Sequence, residues 1–404
     1  MSYFLDAYKA LKSIYSEGKY LSDAIQNIPN GEDKALTVRI VYGVVERDVT
    51  LNYYIGQLTK KPPKLAIKLV LKIGLYCLRF MHSLPPYSVC DNSVKLVKAI
   101  GKGSLSGFIN ATLKSSIDYQ FEMPKNEAER LSIETSTPLW ITKKIIKQYK
   151  EDYLKILGHN PTTKTHVRLN TLKWNRLQFD EYFSGCEKSD VGGAYVKVDD
   201  EIKGLFKSGK ITYQSPQSMK IASLCVGFGD KVLDVCSAPG GKSVYISETL
   251  NQTVTCFDVH EHRVELIKKY AERMGAKVEA QVHDATVFLP RYSELFDVVL
   301  ADVPCSGIGV RYSKPDVLLN REEKDISDLS KLQQEILETS SRYVKVGGIL
   351  VYSTCTIFNE ENERVISRFL DEHPEFSIYG EVMKVTPGVN GDEGFFAVRI
   401  RRNL

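Results

Sequence analysis

The chain has 404 residues, 43% of them hydrophobic and 26% charged, which are the proportions of an ordinary globular protein. This length exceeds what one hydrophobic core normally supports, so two or three domains are expected. No apolar run of about eighteen residues and no signal-peptide pattern occur, which excludes a membrane-spanning or secreted class and predicts a cytoplasmic protein. The eight cysteines stand singly, without Cys/His clusters, so neither a metal site nor a disulfide framework is expected.

The positive charge is concentrated at the N-terminal end. Residues 1–120 carry 16 basic and 9 acidic residues, whereas the rest of the chain carries 38 and 41. Between Leu51 and Ser115 the only acidic residue is Asp91. The basic residues of this stretch are Lys60, Lys61, Lys64, Lys68, Lys72, Arg79, Lys95, Lys98, Lys102 and Lys114. This pattern favours a polyanion as partner, the alternative being a solvated lysine-rich helical surface.

The first predicted domain, residues 1–120, is helical. Its apolar residues recur at helical spacing, as at Leu69, Ile73 and Tyr76, and prolines interrupt the pattern. Several phrases resemble the NusB-like helical domain: V-R-I-V-Y-G-V-V-E-R (38–47), L-K-I-G-L-Y-C-L-R-F (71–80), L-P-P-Y-S-V (84–89) and G-F-I-N-A-T-L-K (107–114). The resemblance implies an RNA-binding fold.

Residues 121–225 are predicted to form a linker helix and a small α+β, RRM-like subdomain. Ile141–Tyr149 is a basic helical stretch, and short β-type runs follow between His166 and Tyr213. Arg168 and Asn170 could hold phosphate or ribose. An arginine on a strand is more commonly a surface ion-pair partner, so neither is assigned to the site.

Residues 226–404 alternate between strand and helix patterns, which predicts a doubly wound, Rossmann-like parallel sheet. The strand-like runs are Val232–Cys236, Val254–Val259, Val278–Val282, Asp297–Ala301 and Ile349–Tyr352. In such a sheet ligands bind beyond the carboxyl ends of the strands. The side chains at those ends are therefore the candidates for function.

The first of these strands leads into the turn of V-L-D-V-C-S-A-P-G-G-K-S (232–243). Gly240 and Gly241 allow positive φ and close approach of a ligand, while the amides of the following helix face the turn. The spacing is neither that of a Walker loop nor G-x-G-x-x-G, so ATP and dinucleotides are not the first choice. The turn predicts a different nucleoside-containing cofactor.

The other strand ends carry acids and thiols. Asp258 lies where such a site places the acid that binds ribose, and Asp284 could receive an exocyclic amine. A surface N-cap is the alternative for either acid. Asp302 and Cys305 follow the fourth strand and Cys355 the fifth, among Pro, Ser, Thr and Gly, so both thiols should face one cleft rather than act as core residues.

A nucleoside cofactor, an acid and two thiols suit methylation of carbon 5 of a pyrimidine. A thiolate that adds to C6 makes C5 nucleophilic toward the methyl of S-adenosylmethionine. An acid near N3 and the exocyclic amine stabilises the developing charge. A second thiol can assist the later loss of the C5 proton and cleavage of the C6–S bond.

These residues resemble the RsmB/Nop/Sun family of RNA cytosine-5 methyltransferases. The motifs that carry the resemblance are V-L-D-V-C-S-A-P-G-G-K-S, F-D-V, H-D-A, D-V-P-C-S-G-I-G-V, K-P-D at 314–316 and Y-S-T-C-T with E-N-E-R behind it. The resemblance implies that Cys355 is the nucleophile, that Cys305 aids release, and that Asp302 and Lys242 polarise the cytosine. The residues that it implies for S-adenosylmethionine binding are Cys236, Ser237, Ala238, Pro239, Gly240, Gly241, Lys242, Asp258, Asp284 and Asp302.

The NusB-like domain in front of this unit is similar to family members that act on small-subunit (16S) ribosomal RNA. The resemblance therefore implies a monomeric enzyme of the position-967 class acting on rRNA before full assembly. Ser237 replaces the usual alanine, Y-Q-S-P-Q-S (213–218) lacks the usual acid, and K-P-D lacks a following aromatic, which leaves RNA placement open.

Alternatives remain at this stage. A tRNA or other rRNA cytosine-5 methyltransferase is the nearest. A DNA cytosine-5 methyltransferase would use Cys305 as nucleophile and need a target-recognition domain, and an amino-group methyltransferase would show N/D-P-P-Y/F. A non-catalytic RNA-binding factor would have no need of both thiols. Tyr312 and Phe358 could hold the target base or could belong to the core.

Overall fold

The computed structural model describes residues 2–81, 83–162 and 164–404. The chain forms two compact units, one of Met1–Gly158 with Arg311–Arg321 and one of His159–Val310 with Glu322–Leu404. Within the described ranges, no helix is long and apolar enough to cross a membrane, and no group of three or more His, Cys, Asp or Glu residues is arranged to hold a metal ion.

The first unit is helical, as the sequence predicts. Its helices are α1 (Ser2–Glu17), α2 (Leu21–Gln26), α3 (Lys34–Glu46), α4 (Asp48–Leu58), α5 (Leu65–Phe80), α6 (Pro86–Ala99), α7 (Ser106–Ile117), α8 (Glu127–Glu134), α9 (Leu139–Tyr149) and α10 (Tyr153–Leu157). Helix α5 is the centre of the unit because its residues from Leu69 to Cys77 are all buried. Gly43 of α3 allows close packing there, since a Cβ at this position would lie 1.9 Å from Cζ of Tyr76.

Lys72 corrects one sequence-based expectation. The sequence pattern places Lys72 among the basic surface residues, but in the structure this residue of α5 is only 1% exposed. Its ammonium group pairs with Asp48 and lies 4.6 Å from the ring centroid of Tyr15. Burial lowers the pKa of Lys72, which the Asp48 carboxylate opposes. The lysine therefore belongs to the core of the helical unit, since a buried ammonium needs such a partner.

The segment Arg311–Arg321 also belongs to the helical unit, although it lies among the methyltransferase motifs in sequence. The amide of Leu21 donates to Asp316 Oδ2 at 3.0 Å, and the hydroxyl of Tyr42 donates to the carbonyl of Ser313 at 2.9 Å. Leu319 packs against the core of the helices. The K-P-D phrase is thus held by helices α2 and α3.

The second unit begins with a small α+β subdomain, as predicted. It contains β1 (Thr165–Leu169), α11 (Arg176–Tyr182), β2 (Glu187–Lys188), β3 (Ala194–Val196), α12 (Asp200–Lys207) and β4 (Ile211–Tyr213). The strands form an antiparallel sheet in the order β2-β3-β1-β4. Arg168 on β1 is an ion-pair partner, but a buried one: its guanidinium pairs with Glu248 and both side chains are less than 5% exposed.

The rest of the unit is a large sheet with flanking helices. Its elements are α13 (Pro216–Ser223), β5 (Val232–Asp234), α14 (Gly241–Leu250), β6 (Val254–Asp258), α15 (Glu261–Met274), β7 (Val278–Val282), β8 (Phe296–Asp302), α16 (Glu323–Ser341), β9 (Val344–Thr354), α17 (Glu363–Glu372), β10 (Phe376–Ile378), β11 (Met383–Val385) and β12 (Phe395–Arg402). The strand order is β10-β12-β9-β8-β5-β6-β7, with β11 paired to β12. Strands β5 to β9 are mutually parallel, as predicted, whereas β10 to β12 add an antiparallel edge.

The order of the parallel strands determines where a ligand can bind. The chain runs outward from β5 to β7 on one side and then from β8 to β9 on the other. The switch point lies between β5 and β8, where the connections diverge and leave a crevice at the carboxyl ends. The glycine turn follows β5, and the Asp302 and Cys305 segment follows β8. The topology therefore places both sequence motifs at this crevice.

Candidate active site

The turn between β5 and α14 is held by Asp234. Its carboxylate accepts hydrogen bonds from the Cys236 amide (3.3 Å) and the Ser243 hydroxyl (2.5 Å), and its carbonyl accepts one from the Ser237 hydroxyl (2.8 Å). Gly240 has φ +104°, a conformation that side-chain-bearing residues rarely adopt, and α14 begins at the next residue. The turn thus presents backbone amides at a helix N-terminus, which suits a polar or charged ligand group.

Asp258 lies beside this turn at the end of β6. It is 4% exposed, and its carboxylate accepts from the His260 amide at 3.2 Å. The Arg263 guanidinium lies 3.5 Å from the same carboxylate and donates to the carbonyl of Ala238 at 3.3 Å. Arg263 therefore links the acid to the glycine turn. A carboxylate in this place suits the hydroxyls of a ribose.

Asp284 follows β7 and is held locally. Its Oδ1 accepts from the amide of Thr286 at 2.9 Å and from the Thr286 hydroxyl at 2.8 Å. The bond from the Thr286 amide is the main reason that the pKa of Asp284 is lowered. No helix begins at Asp284, so these bonds form a local turn and not the helix N-cap that the sequence left as an alternative. A contact between Asp284 and a cofactor amine stays a prediction.

Asp302 ends β8 and is fixed through both carboxylate oxygens. Lys242 Nζ lies 2.6 Å from Oδ2, and the hydroxyl of Ser353 on β9 donates to Oδ1 at 2.7 Å. Burial lowers the pKa of Lys242 but the Asp302 carboxylate and, to a lesser extent, Cys355 raise it, and the net shift is upward. Lys242 is therefore a cation that orients the carboxyl group of Asp302.

The two thiols of the strand ends meet. Cys305 lies three residues beyond β8 and Cys355 directly follows β9, and their Sγ atoms are 3.0 Å apart. The amide of Cys355 also donates to Cys305 Sγ at 3.2 Å. The hydrogen bond with Cys355 and then burial raise the pKa of Cys305 well above its ordinary value. Cys305 therefore remains a protonated thiol beside the other sulfur atom.

Other candidates from the sequence lie elsewhere. Cys236 is half-buried at the turn, and loss of solvent raises its thiol pKa well above the ordinary value, so it can serve a cofactor through its backbone rather than as a nucleophile. Phe358 is fully buried and packs in the core. The Tyr312 hydroxyl bonds to the carbonyls of Ile156 and Leu157 within the helical unit.

Three polar side chains near the thiols received no role from the sequence. Glu361, Asn362 and Gln333 are each at most 1% exposed and bond to residues that flank Cys305 and Cys355. The E-N-E-R phrase supplied a signal for two of them, but only as part of a resemblance. Gln333 gave none, because a glutamine in an amphipathic helix is normally solvated.

The glycine turn, Asp258, and the Asp302–Lys242 pair fit S-adenosylmethionine. Helix-terminal amides and a ribose-binding acid suit the nucleoside part, and the turn has no side chain at Gly240 or Gly241 to block it. The ion pair with Lys242 links Asp302 to the helix that follows the glycine turn. The hydrogen bond from Ser353 links Asp302 to the strand that leads to Cys355. A methyl donor held by these groups would therefore lie beside the two sulfur atoms.

Comparison with known proteins identifies the family of this chain. The model of the 16S rRNA methyltransferase RsmB/F family matches residues 223–401, and that of the NusB family matches residues 5–118. A protein of Bacillus subtilis (strain 168) named "Probable ribosomal RNA small subunit methyltransferase B" is 30% identical over 92% of this chain and 91% of its own length. The chain belongs to the RsmB family of ribosomal RNA small subunit methyltransferases.

Other members and solved structures extend this result. Ribosomal RNA small subunit methyltransferase B of Photorhabdus laumondii is 28% identical over 98% of this chain and 97% of its own. The crystal structure of PH0851 has the same fold, with a TM-score of 0.83, 23% identity and 99% coverage of both chains. A methyltransferase homologue from Pyrococcus horikoshii covers 69% of this chain and 100% of its own, with 25% identity and a TM-score of 0.59. Like the RsmB family, this chain uses S-adenosylmethionine as its cofactor.

Proposed function

We propose that the protein methylates carbon 5 of a cytosine in 16S ribosomal RNA, of the position-967 class, through a covalent bond between Cys355 and C6 of the base. The observation that carries the proposal is the pair of sulfur atoms 3.0 Å apart beside Asp302 and Lys242. Methyltransferases that attack an amino group need no thiol, whereas C5 is inert until a nucleophile has added to C6. Its rRNA specificity is supported by the curated relatives and the NusB-like unit.

The chain's residues divide the reaction between them. The Cys355 thiolate forms the S–C6 bond, and the electron pair of the C5–C6 double bond becomes available at C5. Asp302, oriented by Lys242 and Ser353, accepts a hydrogen bond from the exocyclic amine of cytosine and so fixes the ring, while the Lys242 ammonium group stabilises the negative charge that develops on it. Bound S-adenosylmethionine supplies the electrophilic methyl group that C5 takes up.

Release requires a second step. The C5 proton leaves to a base, its electron pair restores the C5–C6 double bond, and Cys355 departs from C6 with the S–C electrons. Cys305 lies at hydrogen-bond distance from the departing sulfur and carries a proton because its pKa is raised. It therefore protonates or hydrogen-bonds Cys355 as the C6–S bond breaks. The target base must be turned out of its stack to reach these groups.

The test is transfer of labelled methyl from S-adenosylmethionine to naked small-subunit rRNA. Cys355→Ala should abolish transfer, and Cys305→Ala should accumulate a covalent protein–RNA adduct that survives denaturing electrophoresis. Cys186→Ala, at a half-buried thiol of the small subdomain, is the matched control and should behave as wild type. If Cys305→Ala prevents attachment while Cys355→Ala stays active, the two roles are reversed.

The target position needs its own measurement. Bisulfite sequencing of 16S rRNA from cells with and without the protein should show one protected cytosine that disappears on deletion. Assembly intermediates and naked rRNA can then be compared as substrates in the labelled-methyl assay. A protected cytosine in tRNA instead, with rRNA unchanged, would contradict the choice of substrate but not the chemistry.

A further inference from the structure

The loop that carries Cys305 is held on both sides by buried side chains. Before the thiol, Gln333 Nε2 on α16 donates to the carbonyl of Pro304 at 2.9 Å. After it, the amide of Ser306 donates to Glu361 Oε1 at 2.7 Å and the Ser306 hydroxyl donates to Glu361 Oε2 at 2.6 Å. Gln333 also donates to Glu361 Oε1 at 3.1 Å. The backbone on either side of Cys305 is thus fixed by one connected group.

The loop of Cys355 is held in the same way. The hydroxyl of Thr354 donates to Asn362 Oδ1 at 2.6 Å, and Asn362 Nδ2 donates to the carbonyl of Thr356 at 3.1 Å. The hydroxyl of Thr356 donates in addition to Glu361 Oε2 at 3.0 Å. Asn362 therefore spans Cys355, and Glu361 bonds to the loops of both thiols.

Burial argues that this network has a purpose beyond packing. Glu361 and Asn362 are 0% and 1% exposed. A carboxylate removed from water is unfavourable unless donors satisfy it, and an apolar residue would fill the same space at lower cost. The bonds of Glu361 go to Ser306 and Thr356 rather than to the first turn of α17, so its role is not that of a helix cap.

We infer that Glu361 and Asn362 are positioning residues that hold the loops of Cys305 and Cys355 so that the two sulfur atoms remain at reaction distance. Neither side chain would touch the base or the methyl donor. The inference deepens the proposed function, on which it rests, because it explains how two loops from different strands present two thiols to one carbon atom. Without the network each loop could shift independently, and displacements of about 1 Å can lower a rate by about 100-fold.

The first experiment measures the geometry without the reaction. The oxidant diamide converts two adjacent thiols to a disulfide and is itself reduced to a hydrazine, and the Cys305–Cys355 disulfide can be followed by alkylation and mass spectrometry. Glu361→Ala and Asn362→Ala should form it at least about tenfold more slowly than wild type, since misplacement costs effective concentration. Glu372→Gln, in an exposed ion pair with Arg368 on the same helix, should form it at the wild-type rate.

The second experiment separates positioning from proton transfer. In Glu361→Gln the carbonyl oxygen can still accept from Ser306 and Gln333, and the new amide can donate to the hydroxyls of Ser306 and Thr356, which can also accept. This variant should keep kcat within about threefold, whereas Glu361→Ala should lose about 100-fold in kcat with little change in the KM for RNA. Asn362→Asp cannot donate to the Thr356 carbonyl and should behave as Asn362→Ala does.

The outcomes distinguish the possibilities. If Glu361→Ala and Asn362→Ala form the disulfide and turn over at wild-type rates, the inference is wrong. If Glu361→Gln loses as much kcat as Glu361→Ala while disulfide formation is unchanged, the carboxylate acts chemically and the inference is also wrong. Should Glu361→Ala fail to fold, Glu361→Gln and Asn362→Asp still decide. Failure of the wild type to methylate RNA would contradict the proposed function alone, because the disulfide assay does not depend on it.

Discussion

The buried carboxylate of Asp234 should lower the stability of the second unit at neutral pH, and Asp234→Asn should remove that effect. Burial raises its pKa from 3.8 to about 6, and the hydrogen bond from Ser243 opposes the shift only in part. The folded protein therefore binds this proton more tightly than the unfolded chain does. Stability must fall as the pH rises from about 4 to about 6 and level off above that window.

The magnitude follows from the two pKa values. Compared with a side chain that stays neutral, Asp234 lowers the free energy of unfolding by about 1.5 kcal/mol at pH 5 and by about 3 kcal/mol at pH 8. Asparagine keeps an oxygen for the Cys236 amide and places an NH2 toward the Ser243 hydroxyl, which can accept. Asp234→Asn should therefore be more stable than wild type, with a gain that grows by about 1.5 kcal/mol between pH 5 and pH 8.

Tryptophan fluorescence can follow the second unit alone. The chain has two tryptophans, and in a Trp140→Phe background the remaining Trp174 lies in that unit, packed on Phe179. Urea unfolding at pH 5, 6, 7 and 8 then compares wild type with Asp234→Asn. Asp371→Asn, at an exposed position, is the control. A constant difference between Asp234→Asn and wild type across this range would refute the reasoning.

Three further substitutions test other parts of the structure. Gly240→Ala forces a side chain into φ +104° with Cβ 3.4 Å from Ile267, and urea unfolding should show a loss of about 1–3 kcal/mol, with weaker S-adenosylmethionine binding by calorimetry. Lys72→Met leaves the partly buried Asp48 without its cation and should cost about 1–3 kcal/mol, most of which the double variant with Asp48→Asn should restore. Equal losses in the single and the double variant would contradict this. Lys242→Met removes the cation that orients Asp302 and should lower single-turnover methyl transfer about 100-fold, and an unchanged rate would remove Lys242 from the mechanism.

The sequence predicted the positions of the parallel strands because most of them contain a short apolar run that is followed by a polar turn. Strand β7 has the predicted bounds, β6 ends one residue early, and β8 extends one residue further at each end. Strand β5 ends two residues early, whereas β9 begins five residues before the predicted run and ends two residues after it. The antiparallel strand β12 was not anticipated, since Arg399, Arg401 and Arg402 in its second half interrupt the apolar run that a buried parallel strand shows. Strand β12 pairs with β9, and this long-range pairing cannot be read from the local hydrophobic pattern.

The sequence also predicted part of the candidate site, namely the residues that lie close to the ends of recognisable strands. Asp302, Cys305 and Cys355 could be found because each lies at the end of a recognisable strand or within three residues after it. Glu361 could not be given a function, because its partner Ser306 lies 55 residues away in sequence. Lys72 was misjudged for the same reason: charge alone does not reveal that Asp48, 24 residues earlier, accompanies it into the core.

The buried carboxyl groups of Asp234 and Glu361 can be explained by the hydrogen bonds that they accept, although burial of a carboxylate lowers stability. Burial is the main cause of the raised pKa of each, and each accepts hydrogen bonds from neutral hydroxyl or amide donors in the loops that carry functional groups. A carboxylate can accept several such bonds from one small volume, which no apolar side chain can do. Protonation removes the charge but leaves the oxygens in place, so mild acid should preserve the loop geometry. Truncation to alanine removes the bonds themselves, so its effect should appear in the positions of the ligand turn and the thiols rather than in stability alone.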